Sequence, residues 1–427
     1  MLIYSHTVST RLQYICKFIF QEQLGMGFSL TIDSEGFNEY DGPKINYSDV
    51  VMEGDVLNLQ NHSLLFEKNI KEQTIECFET KNYKAFFKTP NSDFTFDIFA
   101  ACFYLLSRYE EYLPYEKDMY GRYAHENSLA FKEGFLQQPL INIWINDFAE
   151  TLKIKFPVFS PIPSPFSYLP TYDIDIAWSY KSKGFVRNIG GFVKSPSLER
   201  IAVLAGLKKD PFDSYEFLRA LHSRCQLQPV YFFLVATSGS IYDKNISPYE
   251  HNMWGLIKKH AKLYEIGLHP SWRSNEQDGL LKKEKKIAET AGNTNITKSR
   301  QHYIKFSFPE TFEQLSAAGI TDDYSMGYGS INGFRASVAS SFYWYNLPAE
   351  KATPLRLHPF CFMDANSFYE QKQDAAESFK ELMYYYETCK KVNGQLITIF
   401  HNNFLGTGKL YAGWREMYEQ FISQIQQ

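Results

Sequence analysis

The stretch LPTYDIDIAW, residues 169–178, decides how the chain is read. Its apolar and aromatic residues predict a β-strand, yet the strand runs into two acids, Asp173 and Asp175, before the chain turns at Trp178. Side chains two apart on a strand share a face, so two carboxylates stand together at the edge of a core. Like charges that close repel unless a cation holds them. The chain needs a cation at the end of this strand.

Outward from this point, strand-like and helix-like runs alternate. PVYFFLVAT (229–237), EIGLHPSW (265–272), SRQHYIKF (299–306), LRLHPFCFMD (355–364) and QLITIFHNN (395–403) predict strands. Between them DSYEFLRALHSRC, with Asp213 as its cap, PYEHNMWGLIKKHAKLY, LLKKEKKIAETAG, PETFEQLSAAGI and residues 373–392 predict helices, and GWREMYEQFISQI closes the chain. Residues 179–212 form an irregular basic insert carrying Lys181, Lys183, Arg187, Lys194 and Arg200, a solvated cover or a lid over an anionic substrate. Strand–helix alternation implies parallel strands with right-handed crossovers, an open or closed α/β barrel. Sites in such folds gather at the carboxyl ends of strands.

Five prolines between Pro157 and Pro170 stiffen the segment before the alternation, because proline fixes φ and removes a donor. The organisation expected is an N-terminal α/β region 1–156, a connector 157–170 and a barrel 171–427. In the first region LIYSH, FSLTID, SDVVM and SLLFE predict strands, while Tyr14–Phe20, FDIFAACFYLLSRYEEYL and PLINIWINDFAETLKI predict helices. It carries no chemical motif.

The bulk numbers exclude some classes. A net charge of −4 over 427 residues gives no long-range attraction to nucleic acid or anionic membrane. No apolar run approaches the ~20 residues of a spanning helix, and MLIYSHTVSTRLQYICKFIFQEQL lacks the layout of a signal peptide, so a cytoplasmic protein without membrane insertion is expected. The six cysteines lie far apart, without a CxxC pair, and read as reduced thiols. An aromatic share of 17% supplies a large core and ring-lined surfaces for sugars.

The polar residues at strand ends supply the cation's other ligands. His269 ends EIGLH, His302 lies in SRQHYIKF and His401 ends LITIFH, with Arg300 and Arg335 in the same set. Carboxylates and imidazoles around an open position suit a zinc-like ion acting on water.

With these residues in view, the chain from about 165 to 427 resembles the polysaccharide deacetylases, the family 4 carbohydrate esterases with the NodB homology domain. TYDID matches their paired-acid strand, EIGLHPSW the lead-in and first histidine of their H-x-x-x-H motif, and LITIFHNN their last strand. RQHY by order, or GFRAS by its local look, resembles their arginine motif. The first region, with LLSRYEEY, resembles the companion domain of a bacterial subgroup. The resemblance implies an irregular (β/α) barrel of about seven strands and a metal-dependent hydrolase that removes N-acetyl or O-acetyl groups from a polysaccharide or glycan precursor. It implies Asp173 as catalytic base, Asp175 and His269 as metal ligands and His401 as general acid. Arg335, or second Arg300, then holds the base. Zinc is the first choice of metal, with cobalt, nickel or manganese as alternatives. Arg273 stands where the family has its second metal histidine, and a protonated guanidinium cannot ligate. His302 is the expected substitute, against the alternative that it only packs.

Around the mouth Trp178, Trp272, Tyr303, Tyr324 and Tyr328 are candidates to stack on sugar rings. Two other readings stand beside the deacetylase: a catalytically degenerate carbohydrate-binding or assembly protein, for which Arg273 speaks, and hydrolysis of a different C–N bond.

Overall fold

The computed structural model describes residues 1–184, 197–237, 239–277 and 279–426. Arg187 and Lys194 of the basic insert lie outside the described residues. The chain is mixed α/β with two sheets of mainly parallel strands. In the first, β1 (Leu2–Tyr4), β2 (Ser29–Thr31), β3 (Lys44–Tyr47) and β4 (Leu57–Leu59) pair in the order β2-β1-β3-β4. A hairpin of β5 (Phe78–Thr80) and β6 (Tyr83–Ala85) stands apart from it.

Several expected elements in this region take other forms, each for a local reason. SDVVM is no strand: Ser48 and Asn46 side chains bond the Val50 carbonyl and turn the chain. SLLFE is a 3-10 turn over Ser63–Phe66, because Leu64 and Leu65 are both buried and cannot alternate faces. The helix in FDIFAACFYLL spans only Ile98–Leu106, where every side chain is buried and Asp97 caps the start. It stops at Arg108, whose φ of 54° leaves the helical region.

The second sheet holds β7 (Ser167–Ile174), β8 (Val230–Leu234), β9 (Glu265–His269), β10 (Lys298–Ser299), β11 (Asp322–Asp323), β12 (Phe342–Asn346), β13 (Lys351–Leu357), β14 (Phe362–Met363) and β15 (Gln395–His401). Their order is β12-β13-β11-β10-β9-β8-β7-β15-β14, parallel throughout except for the β12–β13 hairpin. Nine strands replace the expected seven, and the ladder is open: β12 and β14 do not pair among the described residues. A closed barrel is therefore not what the hydrogen bonds describe. One edge, β12, is the antiparallel arm of a hairpin, and the other, β14, is parallel but two residues long. β8 is buried on both faces, as a central parallel strand with covered faces should be.

β7 begins at Ser167, inside the expected connector, and Pro170 lies one residue before β8 starts to pair at Thr171. LRLHPFCFMD splits at His358-Pro359: β13 joins one end of the sheet and β14 the opposite edge, beside β15. SRQHYIKF pairs only over Lys298–Ser299, because Tyr303 and Ile304 adopt φ of 59° and 55° and fold it into a turn. The helix Tyr215–Cys225 starts at Ser214, whose side chain makes no cap bond, while the Tyr215 backbone N–H bonds the Asp213 carboxylate expected at the cap. One hydrophobic cluster runs from Ile3 to Ile422 through both sheets. No helix among the described residues is long and apolar enough to cross a membrane.

Candidate active site

Asp173 sits in register with His401 on β15 and Phe232 on β8, so the strands themselves bring the acid and the histidine side by side. Asp175 follows β7 by one residue. Its Oδ1 lies 3.1 Å from His269 Nε2, and its Oδ2 lies 3.5 Å from both His302 Nε2 and His401 Nε2. β9 delivers His269 and the turn after β10 delivers His302, so one carboxylate faces three imidazoles. Suitable ligand atoms of Asp175, His269 and His302 lie within 4.8 Å of one another.

Each imidazole has its far nitrogen committed. His269 Nδ1 is 2.5 Å from the Arg300 carbonyl, His302 Nδ1 is 3.0 Å from Asp243 Oδ1, and His401 Nδ1 is 2.6 Å from Asp364 Oδ1. The partner of the other ring nitrogen sets which one carries the proton. A carbonyl can only accept, so His269 holds its proton on Nδ1 and turns the Nε2 lone pair toward Asp175 Oδ1. That oxygen is buried and receives no hydrogen bond. Lone pair thus meets lone pair, and only a cation, either a metal or a second proton, reconciles them. The donor set, one carboxylate and two imidazoles with anchored tautomers, fits a divalent metal with positions left open.

The fields in the site follow from the same contacts. Burial alone would raise the Asp175 carboxyl, but cationic His302 and His401 outweigh it and hold it well below the usual carboxylate range. Burial opposes a charge on His302, yet Asp175 and Asp243 bring it up to about 9. His401 is likewise raised, to about 10, by Asp364 and Asp175 against its burial. Asp243 is held low despite burial by bonds from His302 and the Trp272 N–H. Asp364 is raised by burial, which its bonds to His401 only partly offset.

The two candidate arginines separate. Arg300 Nη1 donates to Asp173 Oδ1 at 2.8 Å, while its Nε donates to the Tyr324 carbonyl at 3.0 Å and its guanidinium lies over Phe232. Arg335, the first expectation for this place, does not reach Asp173. It is held by Glu111 and the Gly327 carbonyl, with its guanidinium over Phe306. Arg273 lies exposed in the turn Trp272–Asn275 and is not among the residues lining the cavity over the three imidazoles.

A cavity of about 620 Å³ opens over Asp173, Asp175, His269, His302 and His401. Of the five expected aromatic residues, Tyr303 lines it. Trp272 stands behind that wall, stacked on Tyr242 at 3.9 Å and edge-on to Tyr303. The other three are elsewhere. Trp178 lines a separate cleft with Lys181, so this part of the basic insert does not cover the cavity. Tyr324 is buried in a stack on His358, and Tyr328 is buried against Arg108 and Arg335.

Sequence reasoning missed Asp243, in a loop, and Asp364, which follows β14 directly at the start of a helical turn, neither with a recognisable spacing. Asp364 was within reach, as the acid that ends an apolar run. It also missed Tyr120, Arg122, Tyr242, Tyr369 and Tyr411 on the cavity wall.

Residues 1–157 match a family of unknown function, DUF7033. No curated protein matches the chain. Among solved structures, the chain is similar to a Mycobacterium smegmatis protein assigned as a polysaccharide deacetylase, at 12% identity over 62% of this chain and 84% of that one, TM-score 0.41. It is also similar to the polysaccharide deacetylase Bc1974 from Bacillus cereus, at 10% identity over 61% and 88%, TM-score 0.31. A third likeness is to a mutant of a CE4 family pseudoenzyme with restored enzymatic activity, at 9% identity over 60% and 63%, TM-score 0.31.

Proposed function

We propose that the chain is a metal-dependent hydrolase of the polysaccharide deacetylase type, acting on the acetamido group of a glycan or glycan precursor. The observation that carries this is the unreconciled pair of His269 Nε2 and Asp175 Oδ1, with His302 beside them. A buried carboxylate among imidazoles whose outer nitrogens are already anchored is arranged for a cation. Asp175, His269 and His302 would hold the metal, which supplies Lewis acidity to the acyl carbonyl and the attacking water.

The chain's own residues then divide the proton traffic. Asp173, fixed through Oδ1 by Arg300, takes the proton from the attacking water, a role typically worth about 10²–10⁴-fold. His401, oriented by Asp364, presents Nε2 to the cavity and gives a proton to the departing nitrogen. Arg300 orients the base. In this reading residues 1–156 form a companion region, and 171–427 carry the chemistry on the nine-stranded sheet.

The test is metal content by mass spectrometry together with acetate release from N-acetylated sugars, with and without chelator. One divalent ion per chain and chelator-sensitive acetate release are expected. Sugar binding without metal or acetate would instead favour a carbohydrate-binding protein. Release of ammonia or another amine from a non-sugar amide, with none of acetate, would move the same site to a different C–N bond.

A further inference from the structure

One wall of the cavity comes from the region that carries no chemical motif. Lys117 and Tyr123 pair as an antiparallel bridge, and between them the chain turns tightly at Gly121 with φ of 75°. Asp118 organises the turn: its Oδ1 accepts the Tyr120 and Arg122 N–H groups, and its Oδ2 accepts Arg122 Nε at 2.6 Å. The tip enters the cavity, where Tyr120 and Arg122 join Asp173, Asp175 and His302 in the lining.

This tip is locked to the site. Arg122 Nη1 donates to the Tyr303 carbonyl at 2.6 Å, next to His302, and the guanidinium lies 4.7 Å over the Tyr120 ring. Tyr120 packs 5.3 Å from Tyr303, 6.2 Å from Trp272 and 6.3 Å from Tyr242. Gly329 makes the lock sterically possible: a Cβ there would fall 2.0 Å from Arg122 Nη1 and 2.9 Å from the Tyr303 carbonyl oxygen. On the opposite flank Tyr369 and Tyr411, joined by a hydrogen bond, also line the cavity.

We infer that the Lys117–Tyr123 hairpin is a substrate-selecting wall, with Tyr120 stacking on a sugar ring and Arg122 positioning it, and that the site takes a short or terminal acetamido-sugar segment. The sugar identity rests on the deacetylase reading; the wall rests on the contacts alone. Aromatic walls on both flanks enclose a volume typical of a drug-sized ligand, which matches a few sugar units rather than a polymer passing through. Stacking suits a pyranose because its C–H face is apolar while its rim is polar.

Calorimetric titration of the full chain with N-acetylglucosamine oligomers of one to six units tests this. Affinity should rise over the first units and level off by about three. Tyr120→Ala should weaken binding roughly tenfold, Tyr120→Leu similarly, while Tyr120→Phe keeps it. Arg122→Gln should raise KM with kcat held, a split that a merely structural arginine would not produce, while the lost ties to Asp118 and Tyr303 lower the thermal midpoint. Binding of Tyr120→Ala or Tyr120→Leu equal to that of the unaltered chain overturns the inference. So does affinity still climbing at six units, or no binding of any oligomer. If oligomers bind in a Tyr120-dependent way but acetate never appears, the wall stands and the deacetylase reading falls.

Discussion

Two buried ionic clusters lie in this molecule, and they are built on opposite plans. In one, Glu111 accepts bonds from Arg108 Nε at 2.8 Å and Arg335 Nε at 2.9 Å, Glu110 takes Arg108 Nη2, and the Gly327 carbonyl takes Arg335 Nη1. Opposite charges alternate, all but one of the side-chain groups find partners, and the cluster does not border the large cavity. In the other, Asp175 faces three imidazoles, one oxygen receives no hydrogen bond, and the cavity opens directly above. The first cluster satisfies itself and ties residues 108–111 to the segment around Arg335. The second is complete only with something added. A buried charge cluster is thus read by what it lacks.

If the clusters divide their roles in this way, breaking each should give a different phenotype. The largest effect belongs to the open cluster's base. Asp173→Asn is expected to lower kcat by about 10²–10⁴-fold with bound metal little changed, measured by acetate release, and to lower the urea midpoint too, because the buried Arg300 guanidinium loses its carboxylate. A variant that keeps its rate would remove Asp173 from the chemistry.

The self-satisfied cluster should respond in stability alone. Glu111→Gln leaves two buried guanidiniums without their shared counter-charge. Breaking a buried pair from one side typically costs about 3–5 kcal/mol, so the urea midpoint should fall markedly while the metal content per folded chain stays the same. Loss of metal with unchanged stability would reverse the two assignments.

What could be read from residue order follows the same division. The DxD pair, His269 and His401 stand out because polar side chains at the ends of apolar strands are costly and need a reason. The choice between Arg300 and Arg335 was not legible. Both follow polar segments, and only the turn at Tyr303 and the position of Glu111 decide which one meets Asp173. Asp243 and Asp364 were hidden for a related reason: they act on imidazoles 59 and 37 residues away, an approach that no periodicity encodes. The openness of the sheet was equally hidden, since strand–helix alternation is the same for an open and a closed ladder.

Asp243 offers a smaller, sharper test of the open cluster. It anchors His302 without touching the cation position, so Asp243→Asn should weaken divalent-metal affinity by about 10–100-fold, read by competition with a chromophoric chelator. Unchanged affinity would mean that His302 only packs, and the ligand set would lose a member.

The histidines draw the contrast once more, at the smallest scale. At the cavity, carboxylates hold His302 and His401 cationic, whereas within the aromatic core burial brings His222 down to about 3 and His260 to about 4. His222 Nε2 meets the Tyr172 hydroxyl at 2.7 Å, with Tyr172, Tyr231 and Tyr264 packed around the ring and no carboxylate bonded to it among the described residues. In the unfolded chain it titrates near 6.5. Between these values the unfolded state binds the proton and the folded state does not, so its contribution is present above about pH 6.5 and drains away as pH falls toward 3. Asp97 and Asp323, raised to about 6, and Glu284, raised to about 7, act with the opposite sign as pH rises, so the total curve does not isolate the histidine. A difference does. The unfolding free energy of His222→Gln, followed by urea titration from pH 7 to pH 5, should fall less steeply than that of the unaltered chain, by at most about 1.4 kcal/mol per pH unit. Parallel curves would mean that the core accepts a charged His222, and that burial alone does not separate the two sets of imidazoles.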